Sequence, residues 1–581
     1  MVDNQAVART FEEIADFLEL KGENPFKIKA YQRAARTIQS LDRPLATLAE
    51  EGGLTEIPGI GKAIAEKIGE MLQNGKMTLH EELRAEFPGQ ILELITVPGL
   101  GPKKAAVLYH ELGVGSLADL ERAIQEGALR DLKGFGAKTE ANLAEGLKRL
   151  RASQGEERMP LPRARAIVAT LIESLSQVPG VERLEVAGSA RRGKETVGDL
   201  DLVCVAADSG PIMETFCSLV SPDRILARGE TKSSLLYSKN LQVDLRVVPA
   251  ESFGAAMQYF TGSKDHNVSL RVRAEKNKWK LNEYGLFDES GQNLASRTEE
   301  EIYRMLGLDL IPPELREGFN EIDLAEKHQL PRLVTVADLK GNLHAHTTWS
   351  DGQHSVEEMA RAAVRFGLEY LAITDHSPWV GVANGLDVDR LRQLKVEIDR
   401  VNALNLGVTL LWGSEVDIRP DGQLDYSDEI LAQLDVVVAS VHSHLQMGKD
   451  EMTARVLKAI QNPHVDVLGH PSGRLLGRRP GYDMDWEEIY KTAARCRTAL
   501  EINGYPNRLD LRDIQARRAR ELGAMLAIGA DAHSSEHLDY LALGVGVARR
   551  AWATPENVLN SLGLADLKRY LAQKEGAWRG A

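Results

Sequence analysis

The spacing of apolar residues divides the chain into a helical first part and later parts that contain strands. In residues 5–150, apolar positions recur every three or four residues, and this period predicts amphipathic helices. After one more helix over 164–176, short apolar runs alternate with polar residues. The predicted strands there are 183–187, 200–205 and 241–248. The chain is therefore predicted to join an all-α part to an α+β part.

The pattern changes again at residue 341. Short apolar runs then alternate with helical patterns, and the predicted strands are 370–373, 435–439, 465–468 and 525–528. This β/α order is typical of a parallel sheet or barrel, whose functional residues lie at the carboxyl ends of the strands. Two polar segments that contain proline, 153–162 and 319–338, are predicted as linkers.

Composition restricts the classes of function. The chain of 581 residues has a formal net charge of −14, so it is not a general DNA-coating protein, and phosphate contacts depend on local basic patches. Its three cysteines, Cys204, Cys217 and Cys496, lack metal-binding spacing, which indicates reduced thiols in a cytoplasmic protein. We expect no leader peptide and no membrane span, because no apolar run approaches ~18 residues. Ten of the 14 histidines follow residue 340, which indicates a second functional module there.

The segment from Gly188 to Asp201 carries the first candidate chemistry. It reads Gly-Ser-Ala-Arg-Arg-Gly-Lys-Glu-Thr-Val-Gly-Asp-Leu-Asp, and Asp199 and Asp201 are two positions apart on a predicted strand. Their carboxylates therefore face the same side, and a buried pair of that kind requires a cation. Asp244, which alternates with apolar residues on another strand, can complete a site for two Mg²⁺ ions between a primer hydroxyl and a nucleoside triphosphate.

These residues resemble the family X DNA polymerases, whose pattern is Gly-Ser, two arginines and then Gly-Asp-x-Asp. The resemblance implies that the three aspartates are catalytic and bind Mg²⁺ or Mn²⁺. A second matching segment, 259–271, implies contacts with the incoming nucleotide and the template. The implied nucleotide-binding residues are Gly188, Ser189, Arg192, Gly198, Tyr259, Phe260, Gly262 and Asn267, and Arg271 is implied to contact the template strand.

Two details refine the resemblance. Arg246 matches an arginine that holds the catalytic aspartate, whereas Lys264 stands where the family has an acidic residue, which affects base-side contacts and fidelity. A nucleotidyltransferase that acts on RNA or on small molecules also shares Gly-Ser and Asp-x-Asp. The 259–271 segment favours the DNA polymerase over that alternative.

A short glycine motif occurs three times in the helical part, at 58–62, 98–103 and 133–138. Its turn brings backbone amides at a helix N-terminus close to a phosphate, and the following lysine adds charge. Such contacts hold DNA without reading its bases. The motifs resemble the helix–hairpin–helix motifs of family X polymerases, and the alternative is three helix caps in a bundle. The candidate DNA-binding residues are Gly59, Gly61, Lys62, Gly99, Gly101 and Lys103, with Lys138 in the third copy.

Three more residues match the deoxyribose-phosphate lyase members of that family. Lys27 and Tyr31 match residues near the family's 5′-phosphate pocket. Lys67 matches the lysine that forms a Schiff base. Phe26 and Ala63 differ from the lyase pattern, so an ordinary surface lysine is the alternative for Lys67.

Histidines and carboxylates follow the predicted strands of the C-terminal part. Because the carboxyl ends of barrel strands converge on one face, these side chains can form one metal site. Imidazoles and carboxylates without a thiolate suit Zn²⁺, Mn²⁺ or Fe²⁺, which activate water for attack on phosphorus. The candidate metal ligands are His344, His346, Asp351, His376, Glu415, His442, His470, Asp531 and His533.

Residues 339–575 resemble the polymerase-and-histidinol-phosphatase (PHP) domain, a distorted (β/α)7 barrel with three metal ions. The resemblance implies a first metal on His344, His346, Glu415 and Asp531. It implies that Glu415 bridges to a second metal on His442 and His470, and that Asp351, His376 and His533 hold the third. Arg474 is a candidate phosphate clamp.

The whole chain is predicted as a multidomain bacterial family X DNA polymerase with a PHP domain. The predicted domains are a lyase-like helical domain at 1–85, a helix–hairpin–helix subdomain at 86–152, a nucleotidyltransferase palm at 160–250, a nucleotide-selection subdomain at 251–318, a linker at 319–338 and the PHP domain at 339–575.

We expect gap-filling synthesis in base excision or end repair by a cytoplasmic monomer that binds gapped or nicked DNA and deoxynucleoside triphosphates. The resemblance implies 3′→5′ exonuclease, apurinic-site endonuclease or 3′-phosphatase activity in the PHP domain. Two alternatives are a PHP site for small phosphate esters or pyrophosphate, and a DNA-end-binding scaffold with vestigial catalysis.

Overall fold

The computed structural model of the protein describes residues 4–39, 45–50, 52–57, 60–87, 91–95, 97, 100–130, 132, 135–136, 139–140, 143–144, 147, 158–238, 241–379 and 381–578. The chain forms two compact units, Met1–Glu157 and Arg158–Ala581. Each unit has its own hydrophobic core.

The first unit is helical, as the apolar period predicts. Its helices are Asn4–Leu20, Pro25–Gln39, Leu45–Glu50, Lys62–Asn74, Thr78–Glu86, Ile91–Leu94, Pro102–Leu112 and Leu117–Gln125. In the first helix, Phe11, Ile14 and Leu18 recur at spacings of three and four and are at most 1% exposed. One face of this helix is therefore part of the core.

Two of the glycine motifs lie at helix starts. Gly61 caps the helix Lys62–Asn74, and Gly101 caps the helix Pro102–Leu112, both in extended conformation. This arrangement confirms that these two motifs precede helices. Gly59, Gly99 and Lys138 lie outside the described residues.

The second unit begins with a five-stranded sheet. In sheet order its strands are Val181–Val186, Asp199–Ala206, Leu241–Val248, Lys232–Tyr237 and Ile225–Arg228. The second and third strands are parallel neighbours, and the other pairs are antiparallel. Leu200 and Leu202 are buried on one face, and side-chain alternation puts Asp199, Asp201 and Val203 on the other.

Smaller elements surround this sheet. Its helices are Leu161–Ser176, Gly188–Arg191, Gly210–Ser218, Phe253–Thr261, Lys264–Lys276, Glu299–Met305 and Glu321–Glu326. Short antiparallel strands pair Met159–Pro160 with Thr196–Val197, and form a second sheet from Asn293–Ala295, Gly285–Phe287 and Lys280–Asn282.

A seven-stranded parallel sheet forms the C-terminal part. Its strands, which neighbour one another in chain order, are Gly341–Asn342, Tyr370–Ile373, Thr409–Asp417, Val436–Ser440, Val467–Leu468, Ala499–Asn503 and Leu526–Gly529. A parallel bridge between Ala345 and Ala532 joins the two ends of the sheet. This closure confirms the predicted (β/α)7 barrel. Its helices are Val356–Arg365, Val388–Asn402, Asp428–Leu431, Lys449–Ile460, Trp486–Cys496, Asp513–Glu521, Leu541–Arg550 and Leu564–Trp578.

Side-chain alternation along the barrel strands places candidate ligands on the same face as a buried apolar cluster. Leu411 and Val438 belong to one buried cluster, which Leu559 and Leu567 of the C-terminal segment also join. Glu415 lies four residues after Leu411 along its strand, so both side chains point to the same face. The apolar cluster thus fills the barrel below the carboxyl ends of the strands.

The segment 319–338, predicted as a linker, contains the helix Glu321–Glu326. Ala325 and Val334 are fully buried, and the Val334 amide donates to the carbonyl of Ala553. Apolar side chains among its polar residues therefore pack this segment against the rest of the second unit. Within the described part of the chain, no helix has the length and apolarity that crossing a membrane requires.

Candidate active sites

The three candidate polymerase aspartates lie on two adjacent parallel strands. Asp201 and Asp244 are aligned across the strand pair, and Asp199 is aligned with Gln242. Gln242 donates a hydrogen bond of 2.9 Å to the Asp244 carboxylate. Lys232 lies 3.3 Å from its other oxygen. Asp244 therefore already has a neutral and a cationic partner.

Burial and like charge act together on Asp201. Burial, together with the carboxylates of Asp199 and Asp244, raises the pKa of Asp201 to about 7, against the opposing effect of Arg246 and Lys232. A bound divalent cation would reverse this penalty. The carboxylates are less convergent than those of the C-terminal site, because the tight ligand groups among the described residues all lie there.

The Gly-Ser turn lies directly over Asp201. Gly188 has φ +63°, and a Cβ at this position would overlap the Asp201 carboxylate. The Ser189 hydroxyl is buried and has no hydrogen-bond partner among the described residues. Only glycine permits this close approach, and the unpartnered hydroxyl is suited to donate to a phosphate oxygen.

Arg192 has protein partners that were not predicted. Its Nε donates to Glu317 at 3.0 Å, and its Nη1 donates to the carbonyl of Thr261 at 2.5 Å. Gly262 leaves room for this guanidinium, since a Cβ there would lie 3.3 Å from Nη1. The arginine thus lies between the Gly-Ser turn and the 259–271 segment.

The second predicted nucleotide segment has a rigid hydrogen-bond pattern. Asn267 donates to the carbonyl of Tyr259 and accepts from Gln258, both at 2.7 Å. The rings of Tyr259 and Phe260 meet edge to face at 5.1 Å, and the Arg246 guanidinium lies 4.2 Å from the Phe260 ring centre. Arg246 thus connects the strand of Asp244 to this segment.

The remaining predicted residues of this half are at its edges. Arg271 is exposed, and its Nε donates to the Asn267 carbonyl at 3.3 Å. Gly198 is exposed next to the guanidinium of Arg158.

In the first unit, the predicted DNA-binding residues at the two described helix starts are open to solvent. Lys62 and Lys103 are exposed, and nothing lies within 4 Å of a Cβ built on Gly61 or Gly101. A phosphate can therefore approach these helix starts closely.

The lyase-like residues are in different environments. Lys27 forms an exposed ion pair of 3.3 Å with Glu23. Tyr31 is only 5% exposed and packs against Phe11, so it lies in the helical core and not on a solvent-facing pocket wall. Lys67 is partly exposed on the helix Lys62–Asn74.

The nine candidate ligands of the C-terminal part lie together at the carboxyl ends of the barrel strands. Three groups have ligand atoms within 4.8 Å of one another: His346, Asp351, His376 and His533; His344, His346 and Asp531; and His376, Glu415 and His442. His346 and His376 each belong to two groups, which differs from the ligand sets that the resemblance implies.

Glu415 is the hub of this cluster. Its carboxylate lies 2.9 Å from His470, 3.0 Å from His376 and 3.3 Å from His442. His344 is 3.4 Å away. Glu415 is 1% exposed, so it is a buried anion surrounded by imidazoles.

The unpartnered atoms of the cluster, and the protonation states of His346 and Glu415, fit metal binding. Burial, with His533 and His376 nearby, lowers the pKa of His346 to about 3, so this ring is neutral and can act as a ligand. Burial opposes ionisation of Glu415, but His442, His344 and His376 hold its pKa well below the usual value. Among the described residues, four buried ring nitrogens lack hydrogen-bond partners: Nε2 of His344 and Nδ1 of His346, His376 and His470.

Family comparisons match both halves of the molecule. Family models match as a helix-hairpin-helix domain (residues 2–77), a SAM-like helix-hairpin-helix tandem (91–149), a DNA polymerase beta thumb (256–317) and a PHP domain (342–505). The chain is 40% identical to the DNA polymerase/3′-5′ exonuclease PolX of Bacillus subtilis over 572 residues, which cover 98% of this chain and 99% of that protein. The chain belongs to the family X DNA polymerases that carry a PHP domain.

Two other relatives each match one half of this family X polymerase. DNA polymerase lambda of Rattus norvegicus is 27% identical over 54% of this chain and 56% of its own length. A probable phosphatase of Thermoanaerobacter sp. (strain X514) is 32% identical over 40% of this chain and 94% of its own length. The polymerase and PHP domains imply dependence on divalent metal ions, and a DNA polymerase with helix-hairpin-helix domains implies DNA and nucleotide substrates.

Two carboxylates that contact PHP ligands were not predicted from the sequence. Glu501 lies 2.8 Å from Nδ1 of His344, and Asp417 lies 3.3 Å from Nδ1 of His442. Such partners fix the orientation of a ligating imidazole. Each is a fully buried carboxylate in a strand, and an acidic residue within an otherwise apolar strand pattern was the signal that could have revealed them.

Arg474, the candidate phosphate clamp, has several protein partners. Arg474 donates to Glu195 at 2.7 Å and to the carbonyls of Arg508 and Leu509, so its guanidinium is already engaged. Arg508, by contrast, lies 3.5 Å from the Asp531 carboxylate and is 20% exposed. Both arginines follow barrel strands, and sequence position alone does not distinguish them.

Proposed function

We propose that the protein fills short gaps in damaged DNA at the aspartate site and trims DNA 3′ ends at the PHP cluster. The polymerase assignment depends above all on the alignment of Asp201 with Asp244 beneath the Gly188–Ser189 turn. In this proposal Asp199, Asp201 and Asp244 hold two Mg²⁺ or Mn²⁺ ions. These ions supply acidification of the primer hydroxyl and neutralisation of the leaving pyrophosphate.

The protein groups around that site position the nucleotide. The unpartnered Ser189 hydroxyl donates to a phosphate oxygen, and the Arg192 guanidinium adds a positive charge next to it. Tyr259, Phe260 and Gly262 line the sugar and base side, where Asn267 is held by two hydrogen bonds. Arg271, which is exposed, contacts the template strand.

The PHP cluster holds the metals of a phosphoesterase. We assign His344, His346, Asp351, His376, Glu415, His442, His470, Asp531 and His533 to three divalent ions of the Zn²⁺, Mn²⁺ or Fe²⁺ class. The ions supply activation of water and neutralisation of phosphoryl charge. Glu501 and Asp417 fix the rings of His344 and His442. The B. subtilis relative is named as a 3′-5′ exonuclease, an enzyme that removes 3′-terminal nucleotides.

DNA is held by the helix starts of the first unit. Gly61 and Gly101 expose backbone amides, and Lys62 and Lys103 add charge without base contacts. Gapped or nicked DNA with a monomeric protein is the arrangement that we propose. Lyase chemistry at Lys67 belongs to the same proposal, and trapping of a DNA adduct by borohydride tests it.

The test uses a labelled duplex with a one-nucleotide gap, Mn²⁺, and the presence or absence of deoxynucleotides. Two double variants are compared with the wild type: Asp199→Ala/Asp201→Ala and His344→Ala/His346→Ala. We expect the first to lose primer extension alone and the second to lose 3′ shortening alone. Loss of both activities in either variant, despite a normal melting curve, would contradict two separate sites.

One alternative has support from a specific observation. Because a probable phosphatase matches 40% of this chain over 94% of its own length, the PHP site is also a candidate for hydrolysis of small phosphate esters. Hydrolysis of p-nitrophenyl phosphate is then measured with and without a DNA 3′ end. Competitive inhibition by DNA favours the DNA-trimming role, whereas undisturbed turnover favours the small ester.

A further inference from the structure

A buried arginine of the PHP domain reaches the nucleotide-binding segment of the polymerase domain. Arg550, the last residue of the helix Leu541–Arg550, is 7% exposed. Its Nη1 donates to the backbone carbonyl of Arg192 at 2.8 Å and to Glu317 at 2.9 Å. Its Nε donates to Asp513 at 2.7 Å, and this bond holds the guanidinium against the barrel helix Asp513–Glu521.

Glu317 connects the two arginines. The same carboxylate oxygen accepts from Arg550 and from the side chain of Arg192, and Lys194 lies 3.3 Å from the other oxygen. Burial alone would raise the pKa of Glu317, but Arg550, Arg192 and Lys194 hold it below its usual value. Glu317 is therefore an anion, and it lies within the matched polymerase beta thumb segment, 256–317.

The PHP domain contacts this polymerase segment at a second point. Arg474 donates to Glu195 at 2.7 Å, three residues after Arg192. Between these anchors, the Arg550 side chain packs against Gly193, since a Cβ built there would lie 3.6 Å from the Arg550 Cδ, an ordinary packing distance. Residues 192–195 are thus held at both ends by side chains from the barrel.

We infer that Arg550 is a positioning residue of the polymerase reaction, which orients Arg192 toward the triphosphate through Glu317 and the Arg192 carbonyl. This inference rests on the proposed role of Arg192 in phosphate binding. Loss of Arg550 is expected to weaken phosphate binding by Arg192 in two ways. Without Arg550, Arg192 loses its backbone anchor, and it also becomes the main counter-charge of Glu317. The cluster of Arg192, Lys194, Arg550, Glu317 and Asp513 has one net positive charge, which falls to zero without Arg550.

The adjacent arginine provides a matched control. Arg549 also crosses between the two domains, donating to Glu314 at 2.7 Å and to the carbonyl of Val334 at 3.2 Å. Among the described residues, its hydrogen bonds and ion pair involve neither Arg192 nor Glu317. Arg549→Gln therefore removes an ion pair of the same kind from the same interface and leaves the connection to Arg192 in place.

The experiment measures single-nucleotide gap filling by the full chain, with KM for the deoxynucleotide and kcat determined separately. For Arg550→Gln we expect KM to rise about tenfold, the effect of losing one charge-assisted hydrogen bond, with a smaller change in kcat. Arg550→Lys retains the positive charge but lacks the planar guanidinium that donates to several acceptors at once, so we expect an intermediate KM. Arg549→Gln and the PHP phosphoesterase activity of all variants are expected to match the wild type.

A double-mutant cycle tests the route through Glu317. In a Glu317→Gln background, the further change Arg550→Gln should raise KM much less than it does in the wild type. Equal effects in both backgrounds, or the same KM rise for Arg549→Gln, would overturn the inference. Arg192→Ala separates the two levels of the argument. If Arg192→Ala leaves KM unchanged, the proposed role of Arg192 fails; if it raises KM and Arg550→Gln does not, the positioning role alone fails.

Discussion

The burial of Asp201 between two other carboxylates predicts that its charge destabilises the protein when no metal is bound. Burial raises the folded-state pKa to about 7, from 3.8 for an ordinary aspartate. A raised folded pKa means that the stability contribution is complete below pH ~4, decreases as pH rises toward 7, and stays lost above it. At pH 8 the change Asp201→Asn should therefore stabilise the metal-free protein.

The magnitude follows from the shift. About three pKa units correspond to about 4 kcal/mol in the free energy of unfolding. Water that enters the metal-free site screens part of this, which leaves about 1–3 kcal/mol. For a unit of the size of Arg158–Ala581 we expect the melting temperature to rise by roughly 1–3 °C. At pH 4.5 the difference should fall to about 1 kcal/mol or less, because Asp201 is then protonated in the folded wild type and only ionisation of the unfolded chain still contributes.

The assay is calorimetry of wild type and Asp201→Asn in EDTA at pH 8 and pH 4.5. The chelator removes metal from the PHP cluster in both proteins, so the comparison isolates Asp201. Asp208→Asn, at an exposed position after the same strand, controls for the loss of one negative charge. Excess Mg²⁺ at pH 8 should raise the melting temperature of wild type more than that of Asp201→Asn. A lower melting temperature for Asp201→Asn in EDTA at pH 8 would refute the reasoning.

Three further predictions address other parts of the molecule. Glu501→Gln removes the charged partner of His344 and should weaken metal binding by the PHP cluster about 10–100-fold, while primer extension is retained; an unchanged Mn²⁺ titration would exclude this role. Gly188→Ala forces a side chain into φ +63° against Asp201, so we expect about 1–3 kcal/mol less stability in urea melts and loss of primer extension, with phosphoesterase activity intact; normal extension would show that the turn relaxes. Lys62→Ala and Lys103→Ala should each reduce the slope of log Kd for gapped DNA against log salt by about one, equally for all sequences; an unchanged slope would remove these lysines from the phosphate contacts.

Much of the fold follows from local pattern, and the exceptions have identifiable causes. The strands Asp199–Ala206 and Tyr370–Ile373 have clear apolar runs, and the structure confirms them. Lys232–Tyr237 and Ile225–Arg228 were not predicted, because they are short and begin or end with polar residues. The helix in 319–338 was missed because its buried apolar residues are too few to form a recognisable helical period.

The residues of the candidate sites likewise differ in whether local sequence identifies them. A ligand such as His376 follows its strand directly, so sequence position and side-chain alternation indicate which face it occupies. Glu501 has only a weaker marker, its position within an otherwise apolar strand, and Glu317 has no local marker. The importance of each depends on a partner far away in the chain, His344 for the first and Arg550 for the second.

That difference has a physical basis in the energetics of buried charge. Residues that hold a substrate or metal can be recognised from their own chemistry, whereas the residues that orient them satisfy a charge that exists only after folding. Glu317 illustrates the point: it is stable as a buried anion because Arg192, Lys194 and Arg550 converge on it from two domains. Removal of any one cation changes the charge available to the others. The polymerase activity is therefore expected to depend on a charge cluster to which the barrel contributes Arg550, even in a variant whose PHP metal site is disabled.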